Sequence, residues 1–213
     1  MVLVSTAHPG EGPGDERRGR IVKAAAGLFV KRGYAGVSTQ DIAAAAKVSK
    51  RELYTLFENK QGILRACITH RIAQIDAPVT LPPVTDRESL ARALRAFALN
   101  VLRELCRPSA IALYRLAVVE AARAPEIARA LDSAGRAPLR GALAAWLAAA
   151  QAGRLVAGGD LDRIVEQFFS LLLGELRLRL VLGVASHPDE NEIERRAGAA
   201  TEAFLGLHEL PHG

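Results

Sequence analysis

Apolar residues recur at helical spacing along most of this chain. From about residue 16 to residue 206 they fall three and four positions apart, as they do on one face of an α-helix. The sequence has few β-branched clusters and no alternating runs bounded by hairpin turns, so strands are not expected. The pattern therefore predicts an all-α protein. Its first helix is predicted over residues 16–32 and ends at Gly33, since glycine readily takes the left-handed conformation after a helix.

Two short segments after Gly33 each carry a helix-start signal. Ser38 is followed three residues later by Asp41, and Ser49 is followed in the same way by Glu52. In each pair the hydroxyl can cap the helix while the carboxylate reaches back to the cap residue. Only residues 46–48 remain between the two segments, so we predict a sharp turn between two very short helices. A fourth helix is predicted from Asn59 to about residue 75.

Prolines at positions 78, 82 and 83 interrupt the helical pattern and mark a domain boundary. We predict a disordered tail over residues 1–15, a first helical domain with a connecting helix over 16–76, and a larger helical domain over 77–213. Within the last region, helices are predicted over residues 86–106, 108–123, 125–133, 137–152, 160–183 and 189–206. First-turn prolines and terminal glycines set several of these limits.

The segment 160–183 is apolar on nearly every side. A helix of this kind has to be covered all round, either at the centre of a bundle or by a second chain. Charged residues nevertheless interrupt it, among them Glu175 and Arg179. These two lie four positions apart and can simply pair with each other. The alternative is that Glu175 faces a ligand.

Charge is distributed unevenly along the chain. Residues 1–77 contain 12 Lys and Arg against 7 Asp and Glu, whereas residues 78–213 contain 16 of each kind. A basic segment beside a neutral one indicates that the first contacts a polyanion, although ordinary variation in surface charge is the simpler alternative. We find no apolar stretch long enough to span a membrane, no signal peptide and only two cysteines, which favours a cytoplasmic protein.

The third predicted helix, over residues 49–57, has two chemically different sides. Val48, Leu53, Leu56 and Phe57 form an apolar side, and the polar side consists of Lys50, Arg51, Tyr54 and Thr55. So short a helix is unstable alone, so it must pack its apolar side on its neighbours and expose the cationic one. An exposed face of this kind suits base edges in a DNA major groove. The alternative is a solvated face on a small helical bundle.

The helices on either side supply candidate phosphate contacts. Thr39 and Gln40 open the preceding helix, where hydroxyl, amide and backbone N–H groups suit a phosphate. Lys60 opens the following helix and is expected at another phosphate.

Residues 16–65 resemble the N-terminal domain of TetR/AcrR-type regulators. The resemblance is carried by Ile21-Val22-Lys23-Ala24-Ala25, Leu28-Phe29, Gly33-Tyr34, Asp41-Ile42-Ala43, Val48-Ser49-Lys50-Arg51, Leu53-Tyr54, Phe57 and Lys60. It implies that residues 16–76 are a helix-turn-helix domain that binds double-stranded, (pseudo)palindromic operator DNA, usually as a repressor. It also implies that residues 77–213 form a helical body that binds a small molecule and joins two chains into a homodimer. The DNA-contacting positions that it implies are Thr39, Gln40, Lys50, Arg51, Tyr54, Thr55 and Lys60. One departure is Lys47, which stands where the family usually has glycine in the turn; a left-handed lysine costs about 1–2 kcal/mol.

The C-terminal region resembles the AefR-like subgroup of that family, on the stretch that begins at Tyr114 and on Gly153-Arg154-Leu155. Candidate pocket residues are Tyr114, Trp146, Phe168 and Glu175. Because the region is net neutral and rich in Leu, Val and Ala, we expect a small apolar or amphipathic effector with one polar handle. For each aromatic residue the alternative is a place in the core.

No catalytic constellation is apparent in the sequence. The five histidines are scattered, and nucleophile-elbow, phosphate-loop and zinc-protease motifs are missing, so we predict no catalytic residue, no metal and no cofactor. Two other classes of function remain open: a helical scaffold that binds a protein partner without DNA, and a small-molecule enzyme on a helical body.

Overall fold

The computed structural model describes residues 13–73, 81–122 and 124–210, and all regular structure within these ranges is helical. The helices are α1 (Pro13–Arg32), α2 (Thr39–Ala46), α3 (Lys50–Leu56), α4 (Lys60–Ala73), α5 (Arg87–Leu105), α6 (Pro108–Glu120), α7 (Pro125–Leu131), α8 (Ala137–Ala152), α9 (Leu161–Leu173), α10 (Leu176–Leu182) and α11 (Glu190–Leu207). A π-helical turn, Asp132–Arg136, joins α7 to α8. The predicted all-α class is confirmed. The chain divides into two compact units, Met1–His70 and Arg71–Gly213.

The first helix begins earlier than predicted. Residues 1–12 of the expected disordered tail lie outside the described residues, but residues 13–15 form the first turn of α1, so the tail prediction is wrong for them. Proline is favoured in a first turn because its missing N–H has no partner there anyway, and Asp15 and Glu16 complement the helix dipole. At the other end, Gly33 is left-handed with φ 71°, as predicted.

The core of the first unit collects one face from each of its helices. Ile21 and Phe29 from α1, Ile42 from α2 and Leu53 from α3 are at most 1% exposed. Cys67 on α4 is also buried, and burial raises the pKa of its thiol to about 12. A thiol of this kind is unreactive, so Cys67 serves as a core residue.

The second unit is organised around an aromatic cluster. Phe168 of α9 is completely buried, with its ring centroid 5.8 Å from that of Phe97 on α5 and 5.4 Å from that of Phe204 on α11. Around this cluster α5 packs on α9 and α11, α8 packs on α9, and α6 packs on α7 and α10.

The predicted helix over 160–183 is not continuous. It breaks at Gly174, where φ is 45° and ψ is −134°, a conformation that residues with a Cβ atom rarely adopt. The sequence did not reveal this break because a single glycine is tolerated inside a helical pattern. Only one side of this apolar segment is covered within the chain. Leu172, Leu176 and Leu180 are buried, whereas Leu178 and Leu182 are 59% and 65% exposed.

The segment before α5 packs on the core of the second unit, to which it belongs. Residues 77–80 of the predicted boundary lie outside the described part of the chain, and residues 81–86 form no helix. Leu81 and Val84 contact the core, and the Trp146 indole Nε1 donates a 2.7 Å hydrogen bond to the carbonyl of Pro82.

Candidate nucleic-acid interface

Two capping boxes position the short helices α2 and α3. The Asp41 amide donates to Ser38 Oγ at 3.1 Å, and the Ser38 amide donates to the Asp41 carboxylate at 2.8 Å. Ser49 and Glu52 make the same pair of bonds at 3.1 and 2.8 Å. These hydrogen bonds from Ser38 and Ser49 hold the pKa of each carboxyl below its ordinary value. Both predicted boxes are therefore confirmed, and they fix where each helix begins.

The turn between these helices passes through Lys47 in the left-handed conformation, with φ 54° and ψ 48°. The Lys47 amide donates to the carbonyl of Ala44 at 3.2 Å, and the next amide donates to Ala43 at 3.0 Å. These bonds close α2 as a glycine would at this position, so the chain keeps the turn and bears the strain of a left-handed lysine.

The two sides of α3 are divided as the sequence predicts. Leu53 and Phe57 are buried, and Val48 and Leu56 are half-buried. The opposite side is exposed and carries Lys50, Arg51, Tyr54 and Thr55. A helix of seven residues thus presents two cations, a phenol and a hydroxyl to solvent.

The exposed side of α3 is tied to the start of α2. The Tyr54 hydroxyl lies 3.2 Å from Thr39 Oγ1, and Thr55 Oγ1 donates to the Arg51 carbonyl at 2.9 Å. Gln40 is exposed beside Thr39. The structure thus brings Thr39, Gln40 and the α3 residues onto adjoining helices of one unit.

Two arginines of α1 hold α3 in place and were missed by the sequence reasoning as positioning residues. Arg17 pairs with Glu52 at 3.4 Å, and Arg18 donates to the Leu56 carbonyl at 3.2 Å while its guanidinium lies 4.6 Å from the centroid of the Phe57 ring. Their place in a basic run in the first turns of α1 was the only available signal. They are contacts across the unit, which the sequence does not show.

Lys60 has a closer partner within the protein than expected. Its ammonium donates to the carbonyl of Tyr34 and lies 4.1 Å from the centroid of the Tyr34 ring. Because an ammonium has three donors, this arrangement is compatible with the predicted phosphate contact but does not require it.

The four candidate pocket residues are not brought together as one lining. Phe168 is completely buried in the aromatic cluster, the Trp146 indole donates a hydrogen bond to the Pro82 carbonyl, and Glu175 is exposed. Tyr114 is half-buried, with the Arg177 guanidinium 4.0 Å from its ring centroid. Clefts of about 510 and 360 Å³ open beside α9, but none of the four residues lines either of them.

Within the residues that the structure describes, no group of three or more His, Cys, Asp or Glu side chains could hold a metal ion. None of the described helices is long and apolar enough to cross a membrane.

These features define a class of protein: a small capped helix-turn-helix unit with an exposed basic helix, linked in one chain to a larger helical body. A model of bacterial regulatory proteins of the tetR family matches residues 21–67, and a model of the AefR-like transcriptional repressor C-terminal domain matches residues 92–208. The chain belongs to the TetR family of transcription regulators.

Individual relatives agree with this assignment. The fold is similar to a TetR transcriptional regulator from Agrobacterium tumefaciens, with a TM-score of 0.80 and 27% identity over 92% of this chain and 96% of that one. It is similar to the flavonoid-responsive regulator FrrA, with a TM-score of 0.76 and 29% identity over 92% and 99% of the two chains. The transcriptional activator FasR of Mycolicibacterium smegmatis is 38% identical over 88 residues, 40% of each chain. The matches to curated relatives span less than half of those proteins.

Proposed function

We propose that this protein is a transcription regulator that binds a (pseudo)palindromic operator as a homodimer and is released by a small-molecule effector. The observation that carries the proposal is the exposed side of α3, formed by Lys50, Arg51, Tyr54 and Thr55 on a helix fixed by caps and by two arginines of α1.

The chemistry of this surface suits duplex DNA. Arg51 can pair with the two acceptors of a guanine in the major groove, and Lys50 lies beside it. Tyr54 and Thr39, whose hydroxyl groups are already within hydrogen-bond distance of each other, can donate hydrogen bonds to phosphates. The side-chain amide of Gln40 can do the same. Lys60 supplies a further cation at the start of α4. Such phosphate contacts would set the register of α3, and the Arg51 contact would supply sequence preference.

Dimerisation through α9, α10 and α11 is supported by the apolar surface that these helices expose. Leu171, Leu178, Leu182 and Leu207 are between 38% and 65% exposed. α11 also carries Gly198, where a Cβ atom would have no neighbour within 4 Å. A second copy of the chain would cover these side chains and would present two α3 helices to successive turns of the duplex.

An effector site in the second unit is supported by the similarity to FrrA, which is a flavonoid-responsive regulator. We propose a small apolar or amphipathic ligand among α5 to α10, with Tyr114 as the best placed of the four candidates, since a guanidinium group lies over its ring. The AefR-like match favours a repressor, and an activator is the alternative because the relative FasR is a transcriptional activator.

The test is a gel shift with the DNA that lies upstream of the gene in its own genome, without added effector. Arg51→Ala should lose at least 10-fold in operator affinity, because one bidentate arginine–guanine contact contributes about 1–3 kcal/mol. The matched control is Arg95→Ala, which removes an exposed arginine from α5 in the second unit. Loss of shift in Arg95→Ala alone, or an unaltered shift in Arg51→Ala, would contradict the assignment of α3. Circular dichroism should show equal helix content in both variants.

A further inference from the structure

Arg177 is a half-buried cation that the proposed DNA surface does not use. It lies on α10 within the second unit, and its guanidinium carbon is 4.0 Å from the centroid of the Tyr114 ring on α6. The Nε atom is fully buried, and no described residue accepts a hydrogen bond from it. One face of the guanidinium is therefore covered by an aromatic ring, while a donor on its edge is without a partner.

Among the described residues of the second unit, no acid influences the Arg177 guanidinium. Burial lowers the pKa of the Arg177 guanidinium, and the other groups that influence it are Tyr114, Arg136 and Cys106, none of them a carboxylate. The Arg136 guanidinium adds to the positive potential rather than neutralising it. Arginine nevertheless stays protonated in proteins. A charge buried in this way costs free energy unless an anion pairs with it.

Two other arginines of the body, by contrast, have acid partners. Arg103 pairs with Glu190 from a different helix, and Arg196 pairs with Glu192. The side chains of both pairs are partly exposed, so water also screens the charges of these arginines. Among the described arginines, Arg177 is thus the one with a buried donor that has no hydrogen-bond acceptor. The groups that influence it come from three other elements: Cys106 at the end of α5, Tyr114 on α6 and Arg136 in the π-helical turn.

We infer that Arg177 is the anchor for a carboxylate, and that the effector is an amphipathic organic acid whose apolar part lies against the Tyr114 ring. This inference rests on the proposed function, in which a small molecule binds the second unit. A carboxylate suits a guanidinium edge, because Nε and one Nη can donate two parallel bonds to its two oxygens. The expected polar handle is thus met by Arg177 rather than by Glu175, which is exposed, or by Arg179, which is exposed on the same helix.

The binding test compares acids with their own amides. Isothermal titration calorimetry on the full-length protein would use octanoate, 4-phenylbutyrate and salicylate, each beside octanamide, 4-phenylbutyramide and salicylamide. At least one acid should bind more tightly than its amide by roughly 10- to 100-fold, since a hydrogen bond to a charged group contributes that much. Arg177→Gln should abolish the preference, and the control Arg179→Gln should keep it. The inference is overturned if all three acids bind no better than their amides, if none binds below 1 mM, or if Arg177→Gln keeps the preference.

A second measurement examines the protein without ligand. Arg177→Met keeps a long side chain that can pack on the Tyr114 ring but removes the unpaired charge. Its melting temperature should be equal to that of the wild type or higher by roughly 2–4 °C, as expected when an unbalanced buried charge is replaced by an apolar group. A lower melting temperature would mean that an acid of the protein, for example from a second copy in the dimer, already pairs with Arg177. That result would overturn the inference.

The outcome is independent of the DNA experiment. Both measurements are made without operator, so a failure of acid binding leaves the gel shift of the wild-type protein unaffected. Conversely, a protein that binds acids through Arg177 but fails to shift DNA would refute the proposed function while supporting this site.

Discussion

Lys47 is the residue whose local strain can be measured most directly. It has φ 54° and ψ 48°, its side chain is exposed, and it stands in the turn between the two helices that carry the DNA-binding residues. A residue with a Cβ pays about 1–2 kcal/mol for this conformation. Glycine pays no such cost, but its unfolded chain is freer and folding loses about 0.5–1 kcal/mol more entropy. Lys47→Gly should therefore stabilise the first unit by about 0.5–1 kcal/mol.

The matched control is Lys47→Ala, because alanine removes the same charge and the same side chain but keeps the Cβ. The readout should be hydrogen exchange of the α3 amides, such as that of Leu53, which donates to the Ser49 carbonyl at 3.1 Å. Tryptophan fluorescence would not serve, since Trp146 lies in the second unit. Protection in Lys47→Gly should exceed that in Lys47→Ala by roughly 2- to 5-fold. Equal protection, or less in the glycine variant, would refute the argument that strain is stored at this turn.

Three further predictions concern DNA binding, assembly and acid stability. If the first unit of each chain in a dimer neutralises about three to five phosphates, a plot of log operator affinity against log salt concentration should have a slope of roughly −5 to −9. A slope near zero would exclude a DNA surface. Leu178→Glu should yield a folded monomer by light scattering, whereas Leu172→Glu should unfold the second unit because Leu172 is completely buried; a dimer in Leu178→Glu would place the interface elsewhere. The caps at Asp41 and Glu52 have lowered carboxyl pKa values, so their stabilisation is present above the ordinary values of 3.8 and 4.5 and is lost as the pH falls through the lower values of the folded protein. Asp41→Asn should flatten that part of the pH-stability curve, as followed by urea denaturation between pH 2 and 6.

Signals that act over three or four residues located most of the DNA-binding unit. Ser38 with Asp41 and Ser49 with Glu52 are caps whose donors and acceptors lie within one turn, so their chemistry is readable without knowledge of the fold. The two-sided character of α3 follows from helical periodicity in the same way, and Leu53 is buried while Tyr54 is exposed, as predicted. The family resemblance was carried by these same positions.

Tertiary structure decided which side chains meet across helices. Arg17 and Arg18 brace α3 from residues more than thirty positions away, and Lys60 reaches back to Tyr34, contacts that no local spacing indicates. In the second unit Gly174 divides an apparently continuous helix, because whether a glycine breaks a helix depends on packing as well as on propensity. The sequence drew attention to Glu175 and Arg179 in that segment, but packing leaves both in water and places the half-buried Arg177 against Tyr114. A charge acquires chemical meaning from its burial and its partners, and both are properties of the folded chain rather than of its residue order.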